Sequence, residues 1–246
     1  MSVPSAWNTP DRLLTSLGVL LMLALAPLYI VSLRLPAVGL FHDDGVYAVT
    51  AKALAEGRGY RIISLPDEPP QTKYPPVFPL LLAAVWKVTP AFPENLTALK
   101  VVPLVAAVAW LLPTLKLFRA LGVPLPLRVA AVAAIAAIPW VVYLSVTLLS
   151  ETVFAALCTA ALLLLEKEGE ADTSWPSTWR VVQAAILAGL ATLTRALGIS
   201  LVAAGVGWLL LTRRDARRAG LFAVTAAAVL LPTSVSCAIS TRCTTS

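Results

Sequence analysis

The chain has 246 residues, of which 59% are hydrophobic and only 13% charged, with a formal net charge of +6 and a mean hydropathy of +0.83. A water-soluble domain normally carries about 25% charged residues, so this one has too little polar surface to cover a water-facing globule. The basic residues lie at the ends of apolar runs, as in Arg213-Arg214-Asp215-Ala216-Arg217-Arg218, rather than on one polar face. That pattern points to retention on the cytoplasmic side of a membrane and away from nucleic acid.

The first apolar run, Leu13 to Leu33, is longer than a secretory signal core. It is followed by Arg34-Leu35-Pro36 rather than a small-residue cleavage site, so it reads as a retained helix. A bilayer core of about 30 Å needs roughly 20 apolar residues in a helix. On that ruler, spans are expected at 13–33, 97–117, 127–147, 151–166, 181–194, 197–211 and 219–239. Three of them (151–166, 181–194 and 197–211) are short, which requires tilt, a thinned bilayer or longer boundaries. Pro139 predicts a kink in the third. The stretch Pro76–Val88 is apolar, too short to span and flanked by prolines, so it reads as an interfacial or re-entrant helix. The predicted fold is therefore all-α, a polytopic transmembrane bundle of about seven spans. Its long first outer loop, about 35–96, carries short interfacial helices.

Orientation follows the Lys/Arg bias of the short loops. With the N-terminus cytoplasmic, Arg119, Arg128, Arg213, Arg214, Arg217 and Arg218 fall inside, and of the short outer loops only one carries a basic residue, Arg195. The 167–180 loop dissents, because Glu166, Glu168, Glu170 and Asp172 outnumber Lys167 and Arg180, but acidic residues weigh little in this rule. The assignment puts the 35–96 segment, the turn at Ser150 and the turn at Arg195 on one outer face. Cys158 reads as a small core residue, and Cys237 and Cys243 would pair only if the C-terminal end is extracytoplasmic.

That outer face collects the chemistry-bearing side chains. After the first span comes Phe41-His42-Asp43-Asp44-Gly45-Val46-Tyr47. Ala48, Ala51, Leu54 and Ala55 then recur at helical spacing, predicting a short helix on the membrane surface. Asp43 and Asp44 at its start serve either as helix caps or as paired carboxylates beside the chain's only histidine, His42. Lys73 and Tyr74 precede Pro75-Pro76, which stiffen an extended entry into the next apolar stretch. Lys73 either snorkels to headgroups or binds a phosphate as a point charge. Glu151 follows Ser150, a candidate cap, at the start of a span. Arg195 interrupts two apolar runs with almost no loop, and so demands an anionic partner. Carboxylates can act as base toward an acceptor or hold a divalent cation, and cations can stabilise a departing phosphate. There is no P-loop, dinucleotide fingerprint or Cys/His zinc spacing.

The segments HDDGVYAVTAKALAEGRGY, KYPPVFPLLLAAVWK, LSETVF and LTRALG, in this order, resemble the N-terminal membrane core of GT-C glycosyltransferases. The pattern is most similar to bacterial members akin to protein O-mannosyltransferases and lipid A aminoarabinose transferases, and the similarity covers about residues 10–215. It implies a polyprenyl-phosphate-linked sugar donor, a lipid, glycan or protein acceptor, and an active site on the periplasmic side of a bacterial inner membrane. It further implies that Asp43 or Asp44, with Asp44 preferred, is the base. His42, Lys73, Tyr74, Glu151 and Arg195 would then line the substrate and phosphate site. The resemblance leaves metal dependence open and makes no cofactor certain; a divalent cation, if used, would fall to Asp43, Asp44 and Glu151. Family members are longer, and the texture from Pro232 to Ser246 shifts to Ser, Thr and Cys, so the family's C-terminal part is expected to be missing here. The alternative reading is a non-enzymatic multi-spanning protein, either transporter-like or an inactive truncated core. A secondary transporter would place its ionisable residues near the midplane within internal repeats, whereas here they cluster at one boundary and no repeat is evident.

Overall fold

The computed structural model describes residues 9–35, 38–167 and 177–242. The Glu168, Glu170 and Asp172 part of the acidic loop and the side chains of Cys237 and Cys243 lie outside what is described. Among the described residues the architecture is entirely helical, apart from an isolated antiparallel bridge between Arg61 and Pro70.

Helix α1 (Thr9–Arg34) is apolar almost all round, and over Ser16–Arg34 only 6% of its residues are buried. Leu17, Leu20, Leu23, Ile30 and Val31 all stand exposed. An apolar helix so little covered by the rest of the chain is compatible with lipid, where exposed leucines carry no hydrophobic penalty. Helix α4 (Leu96–Ala120) is equally apolar and runs 25 residues, about 37 Å at 1.5 Å per residue. It tolerates Pro103 and Pro113 in its interior, and the Thr152 hydroxyl donates to the Pro103 carbonyl at 3.0 Å across the helix pair. These two helices are long and apolar enough to cross a membrane.

The third expected span is broken. Helix α5 (Leu125–Ala137) stops, and α6 (Pro139–Ser145) restarts at a bend of 68°. Proline cannot donate its missing N–H and disfavours helical backbone before it, so the break falls at Pro139 as the sequence predicted. The remaining expected spans do form helices: α7 (Glu151–Lys167), α8 (Ser177–Thr192), α9 (Gly198–Leu211) and α10 (Ala216–Arg242). Seven spans, however, is more than length and composition support. Helices α7, α8 and α9 hold 17, 16 and 14 residues, or about 26, 24 and 21 Å, short of a ~30 Å hydrocarbon core. Helix α10 has the length, but its side chains beyond Leu231 lie outside what is described. Among the described residues two helices meet the requirement, or three if the bent α5–α6 pair is one span.

Helices α7 to α10 pack through small residues. Ala184, Ala185 and Ala188 of α8 are fully buried against α7 and α10, with Phe222 and Leu209 filling the space between. A Cβ on Gly189 would lie 2.8 Å from the Val229 side chain, so this glycine sets how closely α8 and α10 approach.

The other core joins α4 and α7 to the first loop. Helices α2 (His42–Ala55) and α3 (Val77–Val88) pack on each other there, with Tyr47, Ala48 and Ala51 meeting Phe78, Leu82 and Trp86. The apolar face of α2 is thus covered by protein, not laid on a membrane surface as its spacing suggested. Lys100, near the start of α4, is 1% exposed and donates to the Leu35 carbonyl at 2.5 Å. An ammonium at the carbonyl end of α1 complements that helix's dipole and ties its last turn to α4.

Candidate functional site

The two aspartates at the start of α2 have different surroundings. Asp44, the third helical residue, is 1% exposed and turns back along the entering chain. Its two oxygens accept from the Gly39 N–H at 2.9 Å and the Gly45 N–H at 2.7 Å. This is a helix-start tether, akin to the reciprocal half of a capping box, and it satisfies otherwise orphaned backbone donors. Asp43 is half-buried instead, and its carboxylate accepts the hydroxyl of Tyr74.

Tyr74 reaches Asp43 because the segment before α3 is held at several points. A turn at Asp67 and Glu68, both with left-handed backbone, folds the loop back on itself, and the Gln71 N–H donates to the Tyr60 carbonyl at 2.9 Å. The Gln71 side-chain oxygen accepts the Lys73 N–H at 2.8 Å, and the Tyr60 hydroxyl donates to the Tyr74 carbonyl at 2.8 Å. The Val77 N–H then donates to Leu193 at 3.0 Å, docking this segment on the turn between α8 and α9. Lys73 is exposed, with its ammonium 4.8 Å from the Tyr74 ring centroid. Its pKa is held above the ordinary lysine value, first by the Tyr74 hydroxyl and then by the Asp43 charge.

A second cluster adjoins the first through Tyr47, one helical turn after Asp43. Its ring centroid lies 5.0 Å from those of both Tyr74 and Phe78, and its hydroxyl is 3.2 Å from the Ser150 Oγ. Burial pushes the Tyr47 pKa up, against a smaller opposing effect of the Ser150 contact. Ser150 is fully buried and also accepts from Arg195 Nη1 at 3.3 Å. The same nitrogen meets Glu151 Oε1 at 2.5 Å. The second Glu151 oxygen is buried without a hydrogen-bond partner. Arg195 Nη2 and Nε form no hydrogen bond among the described residues, and the side chain is 31% exposed. Two nitrogens of a fixed guanidinium are therefore available to an incoming anion.

The position of Arg195 depends on Gly198. A Cβ there would lie 2.3 Å from the Thr192 backbone nitrogen and 2.6 Å from the Ala191 carbonyl carbon. Neither backbone atom can yield, so the α8–α9 turn needs a glycine to close, and closure brings Arg195 over the start of α7.

Five of the seven residues singled out from sequence thus fall into two adjoining groups. Asp43, Tyr74 and Lys73 form one and Glu151 with Arg195 the other, while Asp44 serves the helix start behind them. His42 is exposed on the first turn of α2 and makes no hydrogen bond or ion pair among the described residues. The sequence reading did not foresee Tyr47 as the link, or Ser150 as a partner of both Tyr47 and Arg195. The only prior signal was that Asp43 and Tyr47 are four apart and so share a helix face. Among the described residues no three His, Cys, Asp or Glu side chains converge on a point suited to a metal ion.

An apolar cavity of about 340 Å³ opens between α1, α4 and the α5–α6 bend, lined by Met22, Leu25, Tyr29, Leu104, Leu111 and Val141 among others. Helix α6 joins this cavity to the site. Its Tyr143 lies within electrostatic reach of Asp44, and its ring packs edge-on against Phe41 at 5.7 Å and stacks with Trp140 at 5.5 Å. No family model, curated protein or solved structure matches this chain.

Proposed function

We propose that this chain is a membrane glycosyltransferase, moving a sugar from a polyprenyl-phosphate carrier to a lipid, glycan or protein acceptor on the outer face of a bacterial inner membrane. The observation that carries the reading is the continuous side-chain line from Asp43 through Tyr74, Tyr47 and Ser150 to Arg195. It puts an accessible carboxylate at one end and an arginine with unused donors at the other. The resemblance to the GT-C membrane core supplies the substrate class.

In this mechanism Asp43 is the base, and Asp44 positions it by fixing the start of α2. The Asp43 carboxylate accepts the proton of the acceptor's nucleophile, which attacks the anomeric carbon of the donor sugar. The bond from that carbon to the phosphate oxygen breaks, and polyprenyl phosphate leaves with the electron pair. Arg195 and Lys73 stabilise the departing charge, more strongly in a water-poor site at a membrane edge than they would in bulk water. Tyr74 donates to Asp43 and holds the carboxylate in place until the acceptor arrives. The apolar cavity beside α6 is the kind of surface a lipid carrier requires. The short helices α7 to α9 complete the bundle in a locally thinned bilayer, with the N-terminus cytoplasmic.

Transfer of radiolabelled sugar from crude polyprenyl-phosphate-linked donors, in membranes expressing the chain or its Asp43→Asn variant, tests this reading. Transfer that disappears in the variant supports it. Transfer unaffected by the variant, or absent from folded and inserted wild-type protein across a panel of donors, refutes it. The second outcome would leave the chain as an inactive core.

A further inference from the structure

At the opposite end of the bundle from this site, a second cavity of about 230 Å³ lies between the last turns of α7 and α9. Leu162 and Leu165 of α7 line it, with Ala204 and Trp208 of α9, and Glu166 is at its polar side. Gly205 contributes backbone alone to its wall, because a Cβ there would lie 2.7 Å from the ring of Phe222. The Arg213 guanidinium sits 4.8 Å from the Trp208 ring centroid, so the basic hairpin between α9 and α10 adjoins the cavity. Asp215 is occupied within that hairpin: it accepts the Arg218 N–H at 3.0 Å and pairs with the Arg218 side chain at 3.2 Å. Arg214 and Arg217 are exposed and form no ion pair or hydrogen bond among the described residues.

We infer that this cavity and hairpin form a binding site for one anionic glycerophospholipid of the phosphatidylglycerol class. A segment of one acyl chain occupies the apolar cavity, and the headgroup phosphate is held by Arg214 and Arg217 beside the Trp208–Arg213 platform. Three things fit that occupant together. The cavity wall is aliphatic up to Trp208, a residue type suited to the headgroup level. Among the described residues, Arg213, Arg214 and Arg217 outnumber the acidic groups at its mouth, which favours a net negative ligand. Glu166 can accept hydrogen bonds from the hydroxyls of a glycerol headgroup. The inference rests on the membrane reading of the chain and is independent of any transferase activity.

The test uses the full chain reconstituted in phosphatidylcholine vesicles containing equal fractions of phosphatidylglycerol or phosphatidylethanolamine, either one carrying brominated acyl chains. The readout is quenching of Trp208 fluorescence, taken as the difference from a Trp208→Phe chain. Quenching by brominated phosphatidylglycerol at lower mole fraction than by phosphatidylethanolamine is expected. In R214Q/R217Q, a variant that leaves the Arg213 stack and the Asp215–Arg218 cap intact, that preference should weaken about tenfold. In Ala204→Phe, which fills the cavity, quenching by either lipid should fall. The wild-type preference should also shrink as salt is raised, which gives a measurement free of any folding defect. Equal quenching by the two lipids at low salt would overturn the inference. So would a preference for phosphatidylethanolamine that Glu166→Gln abolishes, since it would mark an ammonium site instead.

Discussion

The Glu151–Arg195 pair lends itself to a quantitative test. Their side chains are 33% and 31% exposed, so they are neither a surface pair worth about 0–1 kcal/mol nor a fully buried one whose truncation costs about 3–5 kcal/mol. Arg195→Gln would leave a carboxylate with one oxygen already buried and unpartnered, and a destabilisation of about 1–3 kcal/mol is expected. Glu151→Gln should cost less, because the freed guanidinium keeps Ser150 and faces water on its exposed side. In a double-mutant cycle with both changes, the coupling should be about 1–2 kcal/mol. Unfolding in mixed detergent micelles, followed by tryptophan fluorescence, measures all four corners. Donor affinity should separate the same variants in opposite directions. Arg195→Gln removes charge-assisted bonds to phosphate worth about 1.5–3 kcal/mol, at least tenfold in binding, whereas Glu151→Gln releases Arg195 and tightens binding. Single losses that add within about 0.5 kcal/mol, or donor affinity that falls equally in both variants, would refute the reasoning.

Asp44→Ala should lower stability by about 2–4 kcal/mol, since it strands the Gly39 and Gly45 N–H groups. Asp43→Asn should unfold within about 1 kcal/mol of wild type; equal destabilisation by the two changes in the same unfolding assay would show that the aspartates are not divided in this way. Gly198→Ala forces the α8–α9 turn open against backbone atoms. A loss of about 1–3 kcal/mol in thermal or detergent unfolding is expected, together with weaker donor binding as Arg195 moves, and wild-type behaviour on both counts would refute the packing argument. Burial raises the pKa of Tyr47, Tyr60 and Tyr74 above the ordinary value of 10.0, so all three are held protonated in the fold. Their contribution to stability is complete below pH 10 and is lost as pH rises through the raised folded values. Tyrosinate absorbance in an alkaline titration should therefore appear late, and together with loss of fold. Early titration of a phenol that Tyr74→Phe removes would contradict this assignment for Tyr74.

Much of the candidate site was legible in one dimension because membrane chemistry restricts where ionisable groups can be placed. An aspartate pair after an apolar run, a glutamate opening a helix and an arginine between two runs are conspicuous against so apolar a background. Their grouping was predicted from loop charge bias, which assigns a side of the membrane and gives no distances. The division between Asp43 and Asp44 was not readable at all. Adjacent residues on a helix point about 100° apart, and which one meets the entering chain depends on the path of the preceding loop.

The sequence by itself determined the helical character, the break at Pro139 and the positions of the helices, since apolar run length and proline act locally. It also marked α1 as a helix long and apolar enough to cross a membrane. Its seven spans are more than helix length supports among the described residues, because runs bounded by charge yield helices of 14 to 17 residues that length alone does not carry across a bilayer. Only the tertiary structure decided that α2 turns its apolar face to α3, that Lys100 closes the end of α1, and that Tyr47 and Ser150 join two groups of residues about a hundred positions apart. Such long-range contacts arise from how whole helices pack, and packing depends on the shapes of both faces at once, which no single segment encodes.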